Sequence, residues 1–170
     1  MDINKYRTTC FSGYRPEQFA FSLDDKDGTK YKDLKNRINN AITETLQMGY
    51  NTFLCGMDSG FDLLCAKVVI DIRRKRKYRN IQLIIVLPFS GHGFSGKWGR
   101  LHRLVTHHAS QEIIIAPNKH TRSCYYLRNC FLINNSSYLI CYWTGHRGGT
   151  AHTVSMAKQS GHLMRNIAVR

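Results

Sequence analysis

Apolar positions along the chain follow two spacings. Short, largely apolar runs stand at residues 8–11, 52–55, 81–87, 112–116, 138–142 and 163–169. Between them lie longer segments whose apolar residues recur every three or four positions. The clearest strand is 81–87 (IQLIIVL), apolar at nearly every position, as suits a parallel strand covered on both faces. The clearest helix is 31–49, with Leu34, Ile38, Ala41, Ile42 and Leu46 on one face and Gly49 as its stop. Further helices are predicted at 61–77, 97–109, 124–134 and 149–160. The stretch 88–100 is rich in glycine and lacks a period, so it reads as a loop that covers a neighbouring part of the molecule. No internal repeat or linker interrupts the pattern. Alternating strand and helix predict an α/β fold, a doubly wound and mainly parallel sheet with helices on both faces, as a single domain over 1–170.

In such sheets ligands sit beyond the carboxyl ends of the strands, and three of the loops expected there are glycine-rich. Ser12-Gly13-Tyr14-Arg15-Pro16 follows the first strand, and Arg15 can clamp a phosphate with two hydrogen bonds. Gly56, Met57 and Gly60 lead straight into a helix, whose free N–H groups and positive dipole end suit a phosphate. Asp62, in its first turn, caps the helix or accepts a ribose hydroxyl; a tight turn with a capping aspartate explains that loop equally well. Gly145, Gly148, Gly149 and Thr150 repeat the arrangement, with the Thr150 hydroxyl as N-cap or phosphate donor. Arg128 and Asn129 lie on a helix, and Asn129 either reads a base edge or bonds a neighbouring loop. Trp98 beside Lys97, and Trp143 at a strand end, offer stacking surface for a base, although an isolated tryptophan is more often core. Tyr125 and Tyr126 read as packing or oligomer contacts.

Charge sharpens this picture. Of 170 residues, 25 are Lys or Arg and 11 are Asp or Glu, a net +14 that calls for an anionic partner. The surplus lies entirely in residues 72–170, where Glu112 is the single acid. Part of it is the run 73–79 (RRKRKYR), which alone reads as a solvated helix end, since cations are favourable there. The ten other basic residues between 80 and 170 suggest a positive field over one side of the molecule. No apolar run reaches membrane-span length and the N-terminus lacks a signal-peptide core, so a cytoplasmic, non-membrane protein is expected. Six cysteines without a CxxC pair or nearby zinc-spaced histidine read as reduced thiols, and no metal or cofactor is expected. His107 and His108, adjacent on a helix, read as surface residues.

FSGYRP (11–16), GMDSGFDLLCA (56–66), the stretch from Pro88 to Lys97-Trp98, LRNCFLINNSSYLICYW (127–143) and GGTAHTVSMA (148–157) together resemble the YpsA-like family of the SLOG superfamily. The resemblance runs in order over nearly the whole chain. It implies a Rossmann-like fold with a nucleotide-type ligand held by Gly13, Arg15, Gly56, Gly60, Asp62, Gly148, Gly149 and Thr150. Oligomeric relatives also imply a homo-oligomer, for which helix faces near 101–109 and 125–133 are available. The departures are informative. Lys67 stands where the family places a glutamate, Thr144 follows Trp143 where an aspartate is expected, and Asn134 replaces another acid. The phosphoribohydrolase branch requires a glutamate three residues past its Gly-Thr, and that position is Thr153. Cleaving an N-glycosidic bond needs a carboxylate, so a non-catalytic binder of an ADP-ribose-type or cyclic-nucleotide molecule is expected. It would serve as a sensor, or as a phage anti-defence sink that sequesters an immune signal. Single-stranded nucleic-acid binding is the first alternative. A phosphoribohydrolase-like enzyme drawing on Glu17, Asp58 or Asp62 is the second.

Overall fold

The computed structural model describes residues 2–116, 118 and 121–168. Strands β1 (Thr8–Ser12), β2 (Thr52–Cys55), β3 (Gln82–Phe89), β4 (Gln111–Ala116), β5 (Tyr138–Cys141) and β6 (Leu163–Asn166) form one sheet in the order β4-β3-β2-β1-β5-β6. Every pairing in it is parallel. The crossovers are helices α1 (Thr29–Gln47), α2 (Phe61–Arg73), α3 (Gly96–His108), α4 (Arg122–Asn134) and α5 (Gly149–Gln159). Right-handed crossovers put α1, α2 and α3 on one face while the chain steps outward from β1 to β4, and α4 and α5 on the other once it returns to β5. Strand residues therefore alternate between two cores. Phe11, Phe53, Leu83 and Ile85 pack under α1–α3. Cys10, Leu54, Ile84 and Val86 pack with Leu132, Val154 and Ala157 of α4 and α5.

Helix α2 lies between α1, α3 and the sheet, and ten of its thirteen residues are buried, which explains an apolar composition nearly all the way round. The predicted helix 61–77 is too long. It ends at Arg73, whose guanidinium bonds the His108 carbonyl at the end of α3. The last buried residue of α2 is Ile72, and the charges beyond it gain nothing from staying helical, so a single 3-10 turn follows at Arg76–Tyr78. The loop expected at 88–100 shrinks to 90–95, because β3 continues to Phe89 and α3 begins at Gly96. The last predicted strand, 163–169, ends at Asn166, and residue 169 lies outside the described residues. All six cysteines are free thiols, five of them buried; burial pushes Cys10 up to about 12. Among the described residues no cluster of His, Cys, Asp or Glu suits a metal ion. Nor is any helix among those residues long and apolar enough to cross a membrane.

Candidate functional site

The chain reverses its direction across the sheet between β1 and β5, and a crevice must open there beyond the carboxyl ends of the two strands. A cavity of about 530 Å³ occupies that place. Its β1 wall is Ser12, Gly13 and Arg15, and its β5 wall is His146 to Ala151, with Gly148, Gly149 and Thr150 at the start of α5. Asp58 comes from the loop after β2, Asp62 from the first turn of α2, and Tyr125, Arg128 and Asn129 come across from α4. Tyr14 ties the two walls together, because its hydroxyl meets Thr144 Oγ1 at 2.9 Å and accepts the Thr144 N–H at 3.0 Å. Thr150 Oγ1 adds a second tie, donating to the Gly13 carbonyl at 3.1 Å.

Beneath the cavity is a charged network centred on Arg128, which is only 3% exposed. Its Nη1 donates to the Gly56 carbonyl, its Nη2 to Asp58 Oδ2 at 2.7 Å and its Nε to Asn129 Oδ1 at 2.9 Å. Arg15 Nη2 reaches the other oxygen of Asp58 at 3.3 Å. The Tyr125 ring lies 5.8 Å from the Arg128 guanidinium and 5.9 Å from that of Arg15. A buried guanidinium needs this number of partners. Burial alone would raise the Asp58 carboxyl, but the Arg128 charge and hydrogen bond outweigh it and hold it below its ordinary value. Asp62 goes the other way. Burial, then the negative charge of Asp58, pushes it up to about 7, although Arg128 and the backbone N–H groups of Asp58 and Gly13 pull it down.

The glycines fall into two kinds. Gly56 is a packing glycine: a Cβ there would stand 2.5 Å from Arg128 Nη1 and 3.0 Å from Asp62 Oδ2. Gly13 and Gly60 are likewise filled, by the Phe61 ring and by the Tyr14–Pro16 backbone. The start of α2 is thus occupied by the protein's own groups, and the Phe61 N–H there donates to the Tyr14 carbonyl. Met57, in the same loop, is fully buried. The start of α5 is open. A Cβ on Gly145, Gly148 or Gly149 would meet nothing within 4 Å, Gly148 has φ +143°, and no side chain caps the helix.

Sequence reasoning thus converges on one cavity for Ser12, Gly13, Arg15, Asp62, Arg128, Asn129, Gly148, Gly149 and Thr150. Gly56, Met57 and Gly60 lie beneath or beside it as packing. Lys97 and Trp98 are elsewhere, in a groove between α1, α2 and α3, where Lys97 pairs with Asp24. Trp143 packs against both cores and donates through Nε1 to the His146 carbonyl at 2.8 Å. Tyr125 belongs to the site rather than to packing alone, and His146 and Arg147 join it. The only sequence signal for these three was their place beside Arg128 and Gly148. His92, from loop 90–95, packs its ring 6.1 Å from that of Tyr125, and this is what the short loop covers.

A six-stranded, all-parallel sheet that reverses between β1 and β5, with helices on both faces, defines a Rossmann-like α/β domain. The family profile described as the YspA SLOG family matches residues 9–167, and the chain belongs to that family. No curated protein matches. Solved structures that share the fold include two of DNA processing protein A. DNA processing protein A from Streptococcus pneumoniae has a TM-score of 0.61 at 16% identity, covering 94% of this chain and 50% of that one. DNA processing protein A from Helicobacter pylori, described for its single-stranded DNA binding mode, has a TM-score of 0.64 at 14% identity, covering 95% and 65%. This chain therefore spans half to two-thirds of the length of these neighbours.

Proposed function

We propose that the protein binds, without cleaving, a nucleotide-derived phosphorylated small molecule of the ADP-ribose or cyclic-nucleotide type in the switch-point cavity. The observation that carries this reading is the open start of α5 at Gly148 and Gly149, facing Arg15 across the cavity. A phosphate seated there takes backbone N–H groups and the positive helix end. The Arg15 guanidinium, half exposed, closes on it from the other wall, and Tyr125 offers a ring to the base. The non-catalytic part rests on the acids. Both oxygens of Asp58 are taken by guanidinium groups, Asp62 is only 5% exposed, and Thr153 is fully buried with its hydroxyl on the Gly149 carbonyl. Glu17, the third acid on the lining, is exposed and is the carboxylate on which the hydrolase alternative would draw.

The test is a thermal-shift panel of ADP-ribose, its cyclic isomers, cyclic di- and trinucleotides, NAD and AMP, with chromatography of the recovered ligand. Stabilisation with intact ligand supports the reading, because a molecule that binds only the native state raises stability by mass action. A cleaved ligand replaces it with the hydrolase. Sensor and sink differ in release: a sink holds its ligand through gel filtration, and a sensor lets it exchange. A cytoplasmic location goes with either. So does a homo-oligomer, for which the exposed Tyr126 and Leu127 of α4 are the contact we favour.

Single-stranded nucleic acid is the second reading. The Helicobacter pylori neighbour is described as binding it, and the +14 charge of this chain favours it. Arg147 lines the cavity, but the densest run of exposed cations, 74–79, lies away from it, so the two readings separate by place.

A further inference from the structure

The run at 73–79 is at the opposite end of the sheet from the cavity. Arg73 bonds Ser110 Oγ at 3.1 Å, just before β4 begins. Tyr78 and Ile81 lead into β3, the Gln82 N–H donates to the Asn51 carbonyl at 2.9 Å, and the Asn51 N–H donates to the Arg7 carbonyl at 3.0 Å. These bonds set the segments before β4, β3, β2 and β1 side by side along the amino edge of the sheet. With strands about 4.8 Å apart, the segments carrying Arg79 and Arg7 stand roughly 10 Å from each other. Arg74, Lys75, Arg76, Lys77, Arg79 and Arg7 are all exposed. Within the run only Arg74 has an ion pair among the described residues, at 3.8 Å from Asp71.

Two features separate this edge from an ordinary solvated helix end. The cations lie on a 3-10 turn beyond α2 and on the separate segment before β1, so the dipole of one helix does not account for them. Tyr6, 80% exposed, and Met48, 54% exposed, flank Arg7, whose Nε holds the Gly49 carbonyl at 3.1 Å. Large apolar side chains left in water between cations give what an unpaired nucleotide strand uses, a phosphate track with a face on which bases stack.

We infer that the amino edge of the sheet binds single-stranded nucleic acid, without sequence preference, through Arg76, Lys77, Arg79 and Arg7, with Tyr6 as a stacking platform. This gives the nucleic-acid reading its place and is independent of the cavity reading. The experiment is fluorescence anisotropy of a labelled 20-nucleotide deoxythymidine strand with the full chain. Duplex DNA of the same length, polyglutamate and vesicles containing phosphatidylserine are the competitors, and melting temperature confirms that each variant is folded. The wild type should bind with a log–log salt slope near −3, as about four phosphate contacts give. The triple variant R76E/K77E/R79E should lose at least tenfold and flatten the slope, and Tyr6→Ala should lose about tenfold with the slope unchanged. Arg15→Ala, in the cavity, should bind the strand as the wild type does. The inference is overturned by no binding, by a loss on Arg15→Ala with none on the edge variant, or by a competitor displacing the strand at equal concentration. ADP-ribose binding by the edge variant then reports on the cavity separately.

Discussion

At the scale of single residues, Arg128 governs the stability of the site. Replacing it with leucine fills its volume but leaves Asp58 with only the exposed Arg15 as a partner, and Asp62 buried beside it. Breaking one side of a buried ion pair costs about 3–5 kcal/mol, and chemical denaturation of Arg128→Leu should show a loss of that order. Arg128→Lys should recover only a minor part, because an ammonium cannot reach the Gly56 carbonyl, Asp58 and Asn129 together. His92 supplies the second prediction. Burial, reinforced by Arg128, His102 and Arg15 and opposed by Asp58, lowers it from 6.5 to about 4. The unfolded chain therefore takes up a proton at this residue that the folded chain refuses, and stability falls as pH drops from 6.5 toward 4. Asp62, held up near 7, acts with the opposite sign between its ordinary value and 7, so the whole-protein profile mixes the two. The difference between wild type and His92→Phe isolates the histidine. Phenylalanine suits its neighbours Phe89, Phe94 and Tyr125, and the Nδ1 it removes has no hydrogen-bond partner among the described residues. The variant should match the wild type at pH 8 and exceed it increasingly below 6.5, by up to about 3 kcal/mol at pH 4; parallel curves would show that His92 does not titrate.

At the scale of elements, α2 and α5 begin alike in sequence and differ in what they offer. Glycines stand at both starts, but those at α2 are filled by Phe61, Arg128 and the β1 loop, whereas those at α5 face space. Gly60→Ala meets φ +89° and the Tyr14 carbonyl at 2.6 Å, and should cost about 2 kcal/mol or more by thermal melting. Gly149→Ala should leave the melting temperature within a degree or two, since alanine is at least as good at a helix start. It should weaken by about tenfold whichever ligand of the panel stabilises the wild type, because the methyl stands where the phosphate would sit. A Gly149→Ala protein that binds as before would move the phosphate seat away from α5. This pair of helices also marks the limit of what sequence could tell. The apolar pattern placed every strand and helix, because continuous apolar runs mark parallel strands covered on both faces and a 3.6-residue period marks helices with one face on a core. The ends were misjudged where tertiary contacts decide them: α2 stops where burial stops, at Ile72, and β3 carries through Pro88 because β4 lies alongside. The loops were correctly sent to one sheet edge, but glycine looks the same in sequence whether it admits a ligand or its own protein. Lys97 and Trp98 were drawn toward the site by chemistry alone, and the position of α3 takes them to another groove.

At the scale of the whole molecule, the decisive property is that the two ends of the sheet carry different charge arrangements. At the carboxyl edge two of the three cavity arginines are paired, since Arg128 and Arg15 share Asp58, and Arg147 is the exposed one without an ion pair among the described residues. Within the run at the amino edge only Arg74 is paired, and the exposed cations of 74–79 repel one another in the folded state more than in an extended chain. Such repulsion acts over roughly 10 Å at 0.1 M salt and is screened above that. Thermal stability in a buffer without polyvalent anions should therefore rise as sodium chloride goes from 0.02 to 0.3 M, by a few degrees. Arg76→Gln combined with Lys77→Gln should already melt higher at low salt, since neither side chain makes an ion pair among the described residues. The two curves should then converge at 0.3 M. Curves that stay parallel at all salt concentrations would place the effect in helix propensity at the 3-10 turn rather than in charge. Convergence would mean that this edge holds its cations at a cost to folding, which is the relation expected of a surface kept for a polyanion.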